Sequence, residues 1–272
     1  MKEKDFINVR DLIRSKNPKL LNWLPGFVIR YLEKIFHQDE VNAIIEKYKD
    51  AKGVDFCEGI MEHFNIQIAV EGIENIPLEG GATLAMNHPL GGMDAIALVD
   101  ALKEKRTDIK FIVNDLLLNL KSMENMFVGV NKHGKLNVNT LKMIDDVFDS
   151  NNLVGVFPAG LVSRKVKGEV LDLEWKKMFI DLSIKHQNPI IPIYIDGKLS
   201  NFFYRLANLR KFLGIKVNFE MLYLVNELFK QRNVKITFKI GEPIPIQDID
   251  TTKSTRKLAA MVKEKVYELA KK

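Results

Sequence analysis

Five residues separate His88 from Asp94 in the segment Leu84-Ala85-Met86-Asn87-His88-Pro89-Leu90-Gly91-Gly92-Met93-Asp94. The apolar run before His88 reads as a strand. Gly91 and Gly92 read as a loop free to take left-handed backbone, and a helix begins near Asp94. Folding back at the glycines brings the carboxylate to one ring nitrogen of the imidazole. That contact fixes the tautomer and leaves the second nitrogen to take a proton. Histidine suits the task because its ordinary pKa of about 6.5 lies near neutral pH. A plainer reading uses the same residues: Asp94 as a helix N-cap and His88 as a packed side chain.

Few other residues compete for a chemical role. His133 follows Lys132 in a polar stretch, and His37, His63 and His186 lack partners at informative spacing. Cys57 is the single cysteine, so no internal disulfide forms, which fits a reducing compartment. No GxSxG, Walker loop, HExxH or Cys/His cluster occurs, and no metal or redox cofactor is expected. The 272 residues carry a formal charge of +6, which favours anionic partners. No basic cluster interleaved with aromatics resembles a nucleic-acid module, so nucleic acid is not expected. The opening Met1-Lys2-Glu3-Lys4-Asp5 leads into no apolar h-region, and no apolar run approaches the ~18–20 residues of a membrane span. A soluble or peripheral protein is expected.

The elements that must position this segment follow from periodicity. Strands are expected at Ile66–Val70, Thr83–Met86, Lys110–Val113, Met126–Val130, Leu153–Phe157, Ile190–Ile195 and Val234–Ile240. Helical patterns at Asp94–Leu102, Val138–Asp149 and Glu174–His186 lie between several of them. The alternation predicts an α/β fold: a mixed, largely parallel sheet of about seven strands flanked by helices. The first 50 residues read as helical, with Asn17-Pro18 as N-cap and first turn, a break at Pro25-Gly26, and a second helix from about Asp39 to Lys49. Ser254 caps a last helix with Leu258, Val262, Val266 and Leu269 on one face. Residues 199–229 mix aromatics with Arg205, Arg210, Lys211 and Lys216, predicting short helices packed partly on the sheet and partly facing lipid. We divide the chain into an N-terminal amphipathic segment (1–54) and a catalytic domain (55–272).

Asn87-His88-Pro89 with Asp94 resembles the first motif of the glycerolipid acyltransferase superfamily, which includes glycerol-3-phosphate and lysophospholipid acyltransferases. The longer spacing, Asn-His-Pro-x-Gly-Gly-x-Asp, resembles its putative-hemolysin branch. Phe127-Val128-Gly129-Val130-Asn131-Lys132 is similar to the second, acceptor-binding block. Phe157-Pro158-Ala159-Gly160 with Ser163-Arg164 is similar to the third, and Ile191-Pro192-Ile193 to the fourth. The order holds over roughly residues 60–245. Asp115–Leu120, Asp172–Phe179, Ser200–Tyr204 and Ala207–Arg210 further resemble the bacterial glycine N-acyltransferases of glycine lipid synthesis.

The resemblance implies a glycerol-3-phosphate acyltransferase-like fold with His88 and Asp94 as the catalytic pair. It implies Asn87, Asn131, Lys132 and Arg164 at the acceptor, and the third block, Phe157, Pro158, Ala159 and Gly160, around the oxyanion, with backbone amides in that stretch as candidate donors. Gly91 and Gly92 shape the loop. The donor would be acyl-ACP or acyl-CoA, with no cofactor. In block three Ala159 replaces the family's acidic residue, and an ungapped reading puts Val162 at its phosphate-contacting arginine. A missing planar cation weakens the case for a phosphate-bearing acceptor. The expectation is therefore N-acylation of glycine, on the inner face of the cytoplasmic membrane. Its alternatives are O-acylation of lysophosphatidate, a lysophospholipid or a lyso amino-acid lipid, and a non-enzymatic lipid-binding module.

Overall fold

In the computed structural model, residues 6–114, 118, 120–130 and 138–271 are described. The main sheet has seven strands: β1 (Gln67–Glu71), β2 (Ala82–Met86), β3 (Ile109–Asn114), β4 (Phe127–Val130), β5 (Leu153–Val156), β8 (Ile190–Asp196) and β9 (Lys235–Ile240). Between them β6 (Arg164–Val166) and β7 (Glu169–Leu171) form a separate hairpin. The sheet order is β1-β9-β8-β2-β5-β3-β4, and every neighbouring pair is parallel except β8 with β9. Eleven helices are described: α1 (Val9–Lys16), α2 (Pro18–Trp23), α3 (Gly26–Ile35), α4 (Gln38–Lys47), α5 (Val54–Phe64), α6 (Gly92–Leu102), α7 (Val138–Asp149), α8 (Met178–His186), α9 (Asn201–Phe212), α10 (Leu224–Phe229) and α11 (Thr255–Leu269). None is long and apolar enough to cross a membrane.

The central strand β2 is buried at all five residues, as a strand covered on both faces must be. Its alternation divides the core. Leu84 and Met86 join one apolar cluster with Phe56, Ile60 and Phe64 of α5 and Leu98 and Leu102 of α6. Ala85 joins the other, with Phe148 of α7, Phe179 of α8 and Val262 and Val266 of α11. Thr83, on that second face, is within 2.7 Å of the Ser183 hydroxyl of α8, so its buried polar atom is satisfied.

All seven expected strands are present to within a residue or two, as is the predicted mixed, largely parallel sheet. Asn17 accepts from Leu20 N–H with Pro18 in the first turn, and Pro25-Gly26 divides α2 from α3. Three elements departed from expectation, one of them α5, where no helix was read. The helix read from Glu174 begins only at Met178, because the residues before it bond elsewhere: Lys176 N–H donates to Pro158 O at 3.0 Å, and the Trp175 indole donates to Asp172 at 2.8 Å. The β6–β7 hairpin was not anticipated. Its two-residue turn, Lys167-Gly168, has positive φ at both positions (51° and 93°), and that dipeptide was the available signal.

Candidate active site

Residues leaving the carboxyl ends of adjacent parallel strands meet at one edge of the sheet, where open α/β sheets place ligands. His88 follows β2, and Phe157 follows β5, its neighbour through Ala85↔Val156. Gly91 holds the return path between His88 and α6. Its φ of +73° is one that L side chains rarely adopt, and a Cβ there would stand 3.3 Å from Val162 Cγ1. Asp94 then lies in the first turn of α6, its own N–H donating to Gly91 O at 3.0 Å, so it does not cap the helix.

His88 Nδ1 is 2.9 Å from Asp94 Oδ2. The Leu90 amide donates to both carboxylate oxygens, at 3.0 Å to Oδ2 and 3.2 Å to Oδ1. Asp94 is fully buried, whereas the His88 side chain keeps 18% of its surface exposed. The fixed nitrogen is thus inside and the ring remains reachable. Burial pushes the Asp94 carboxyl above its ordinary range; the bonds from His88 and Leu90 pull the other way without cancelling that rise.

The imidazole also stacks on Phe157, with ring centroids 4.3 Å apart. Phe157 lies parallel to Phe111 at 6.3 Å, and Phe111 fits only because β5 carries Gly155, where a Cβ would come within 2.6 Å of the Phe111 ring. A glycine in one strand thus lets an aromatic column back the histidine.

The backbone of His88 is clamped by a group that sequence reasoning did not place in the site. Asp172 is buried, and its Oδ1 accepts the His88 N–H at 3.2 Å and the Ser163 hydroxyl at 2.6 Å. Its Oδ2 accepts the Trp175 indole N–H. Ser163 N–H closes the circuit onto His88 O at 2.8 Å. Tyr267 and Lys263 of α11 hold the Asp172 backbone: Asp172 N–H donates to the phenol oxygen at 2.7 Å, and the ammonium donates to Asp172 O at 2.7 Å. An acidic residue followed three positions later by tryptophan, just after block three, was the only sequence trace of this clamp.

Several expected acceptor and oxyanion contacts have other partners. The Asn87 side chain acts as a substitute peptide: it donates to Ile195 O at 3.0 Å and accepts from Ile195 N–H at 2.7 Å, joining the end of β2 to β8. Arg164 is buried, donating to Val162 O at 2.6 Å and to Glu220 Oε1 at 3.0 Å. Arg210 Nε lies 2.9 Å from the other Glu220 oxygen, an ion-pair distance without hydrogen-bond alignment. Two guanidinium groups thus share one buried carboxylate, and Arg164 serves packing between β6 and α9. The Gly160 N–H is used in a turn to Phe157 O at 2.9 Å, and Pro158 has no N–H. The Ala159 amide donates to no acceptor among the described residues. Gly92 has open space around it. Asn131, Lys132 and His133 lie outside the described residues, as does most of the Asp115–Leu120 stretch.

An imidazole oriented by a buried carboxylate, with its outer edge reachable, is equipped to accept a proton from a nucleophile. The chain belongs to the Acyltransferase family, whose model matches residues 11–272. It is 45% identical over 265 residues to the lyso-glycine lipid O-acyltransferase of Bacteroides thetaiotaomicron, covering 97% of each chain. It is 42% identical to the enzyme of the same name from Phocaeicola vulgatus, covering 97% of this chain and 95% of that one. The fold is that of the 1-acyl-sn-glycerophosphate (LPA) acyltransferase PlsC from Thermotoga maritima, with a TM-score of 0.51 at 19% identity over 89% of this chain and 96% of that one. The expected N-acylation of glycine is corrected by these relatives: two near-full-length matches are named for transfer to oxygen on a lyso lipid. The stretches read as glycine N-acyltransferase signals do not fix the acceptor, and nothing in His88 and Asp94 distinguishes an amine from a hydroxyl.

Proposed function

We propose that this protein transfers a fatty acyl group from an acyl thioester, acyl-ACP or acyl-CoA, to the hydroxyl of a lyso-glycine lipid. The observation that carries the reading is the reachable imidazole held by Asp94, in a chain 45% identical along its length to an enzyme of that name. His88 Nε2 takes the hydroxyl proton as the oxygen attacks the thioester carbonyl. Asp94 stabilises the imidazolium that forms. When the tetrahedral intermediate collapses, the C–S bond breaks and the proton passes to the leaving thiolate, giving an ester and a free thiol. The Ala159 amide is a block-three donor able to meet the oxyanion.

A glycine headgroup acylated at nitrogen presents one carboxylate, and one cation suffices for it. Arg164 is committed to Glu220, whereas Lys176, whose ammonium would stand 3.1 Å from a Cβ at Gly160, is a described cation beside the block-three turn. Asn131 and Lys132 would supply the remaining acceptor contacts from block two. Residues 55–272 form the catalytic domain in this reading, and the 1–54 segment helps hold it on the cytoplasmic face of the membrane.

The test incubates purified protein with acyl-CoA or acyl-ACP and, separately, lyso-glycine lipid, lysophosphatidate or free glycine, with products read by mass spectrometry. An ester of the lyso-glycine lipid that disappears in His88→Ala is the expected result. Phosphatidate as the only product would overturn the acceptor assignment, and His88→Ala retaining full turnover would overturn the catalytic one.

A further inference from the structure

Helix α9 is apolar on two sides. Phe203, Tyr204 and Ala207 are buried, and the first two pack with Val162 and Leu199 in a small core directly behind the His88–Gly91 loop. At 3.6 residues per turn Phe202, Leu206, Leu209 and Leu213 share the opposite side. There Phe202 is 47% and Leu209 52% exposed; Phe212 at the end of α9 adds 87% and Val217 in the following loop 72%. A helix face of this composition calls for cover, and the described residues leave much of it exposed. The patch continues onto the N-terminal helices. Tyr223 stacks edge-on to Phe202 at 5.0 Å and lies within hydrogen-bonding distance of Tyr31 of α3 (2.7 Å between hydroxyl oxygens), on the helix pair that exposes Trp23 and Phe27.

The surrounding charge names the occupant. From Gly197 to Phe219 the chain has five basic residues, Lys198, Arg205, Arg210, Lys211 and Lys216, and no acidic one. Arg205, Lys211 and Lys216 are exposed beside the apolar side chains. A second copy docking here through a twofold axis would set these cations against themselves. An anionic bilayer offers both an apolar interior and negative headgroups. We propose that the outer face of α9, with the helix end and loop at residues 212–218 as its deepest point, seats the protein on anionic lipid. Because α9 packs on Val162, and Ser163 bonds to His88 O, the seated face lies one packing layer from the imidazole. This extends the membrane contact assumed above by naming its surface, and its test is independent of the acceptor.

Cys57 is fully buried, so a cysteine introduced by Val217→Cys is the thiol that labels in the folded protein. A bimane on it should shift to the blue and be quenched by spin-labelled acyl chains when vesicles of equal parts phosphatidylglycerol and phosphatidylcholine are added. The same label at Lys265→Cys, on α11, should not respond. Phe212→Gln/Val217→Gln should lower sedimentation with these vesicles by at least about tenfold, and so should Lys211→Glu/Lys216→Glu. Turnover of lyso-glycine lipid dispersed in detergent should be unchanged in both. An unresponsive label at position 217 on vesicle-bound protein overturns the proposal. So does absence of vesicle binding, or self-association abolished by the same substitutions. Failure of acylation in detergent would instead remove the proposed function and leave this result standing.

Discussion

Asp94→Asn should move activity and stability in different directions. Two donors converge on Oδ2, His88 Nδ1 at 2.9 Å and Leu90 N–H at 3.0 Å, while Oδ1 receives only the longer Leu90 contact. An asparagine therefore places its oxygen at the Oδ2 position and keeps the productive tautomer. What it removes is the charge facing the developing imidazolium. At about 4 Å and an effective dielectric near 20 that attraction is worth about 4 kcal/mol, and a charge-assisted bond becomes a neutral one of roughly half the strength. Allowing for partial compensation, kcat should fall by about 10²–10³-fold. Stability follows the pKa. Burial raises the folded-state pKa of Asp94, so the native protein holds this proton to higher pH than the unfolded chain. The stability it contributes is present at acid pH and lost as pH rises through the interval from the unfolded to the raised folded value. Asparagine never ionises, so at neutral pH the variant should melt no lower than the parent, and its stability–pH curve should lack that decline. Turnover by thiol release and thermal melts across the acid range provide the measurement. A folded variant with parental kcat refutes the role of the carboxylate. A variant markedly less stable at neutral pH refutes the burial penalty.

The same carboxyl, raised by burial, shapes the acid limb of kcat/KM: activity should be lost on acidification at a pH above that of an ordinary carboxylate, read from a pH–rate profile. Asp172→Asn turns an NH2 toward the Trp175 indole N–H, leaving a buried donor unpaired at a cost of about 1–3 kcal/mol. It should lower Tm and, by loosening the His88 backbone, lower kcat; unchanged values for both would count against the clamp. Gly91→Ala, with φ of +73° and Val162 in its way, should cost about 1–2 kcal/mol and displace the catalytic loop, seen in urea denaturation and turnover together. Cys57, whose thiol burial pushes far up, should resist alkylation until the protein unfolds, as intact mass will report.

What the sequence disclosed about this fold depended on the range of the interactions involved. Central strands such as Ile190–Asp196 are short apolar runs, and β-branched residues with flanking breaks mark them without tertiary information. The His88–Asp94 contact was legible because both residues sit on one local loop. The clamp at Asp172 was not, since it joins positions 84 residues apart and its donors, a backbone amide, a serine and an indole, have no characteristic spacing. Helix α5 was overlooked although Phe56, Cys57, Ile60, Met61 and Phe64 repeat at helical intervals. Packing against α6 fixes it as a helix. Asn87 and Arg164 were placed at the acceptor by motif position. Each is a polar side chain whose partners, Ile195 and Glu220, arrive from distant segments.

The burial of Arg164 bears directly on the acceptor class. A phosphate monoester carries nearly two charges and is best met by a planar, bidentate donor. In this chain the block-three guanidinium instead closes a buried cluster with Glu220 and Arg210, and no described residue replaces it at that position. Freeing it would leave that buried carboxylate with Arg210 alone, so rearrangement on substrate binding is disfavoured. The cluster joins β6 to α9, the helix whose outer face we assign to the bilayer. The commitment of Arg164 to Glu220 thus bears on both proposals: it braces the helix assigned above to the bilayer, and it favours the carboxylate-bearing acceptor proposed above over a phosphate monoester.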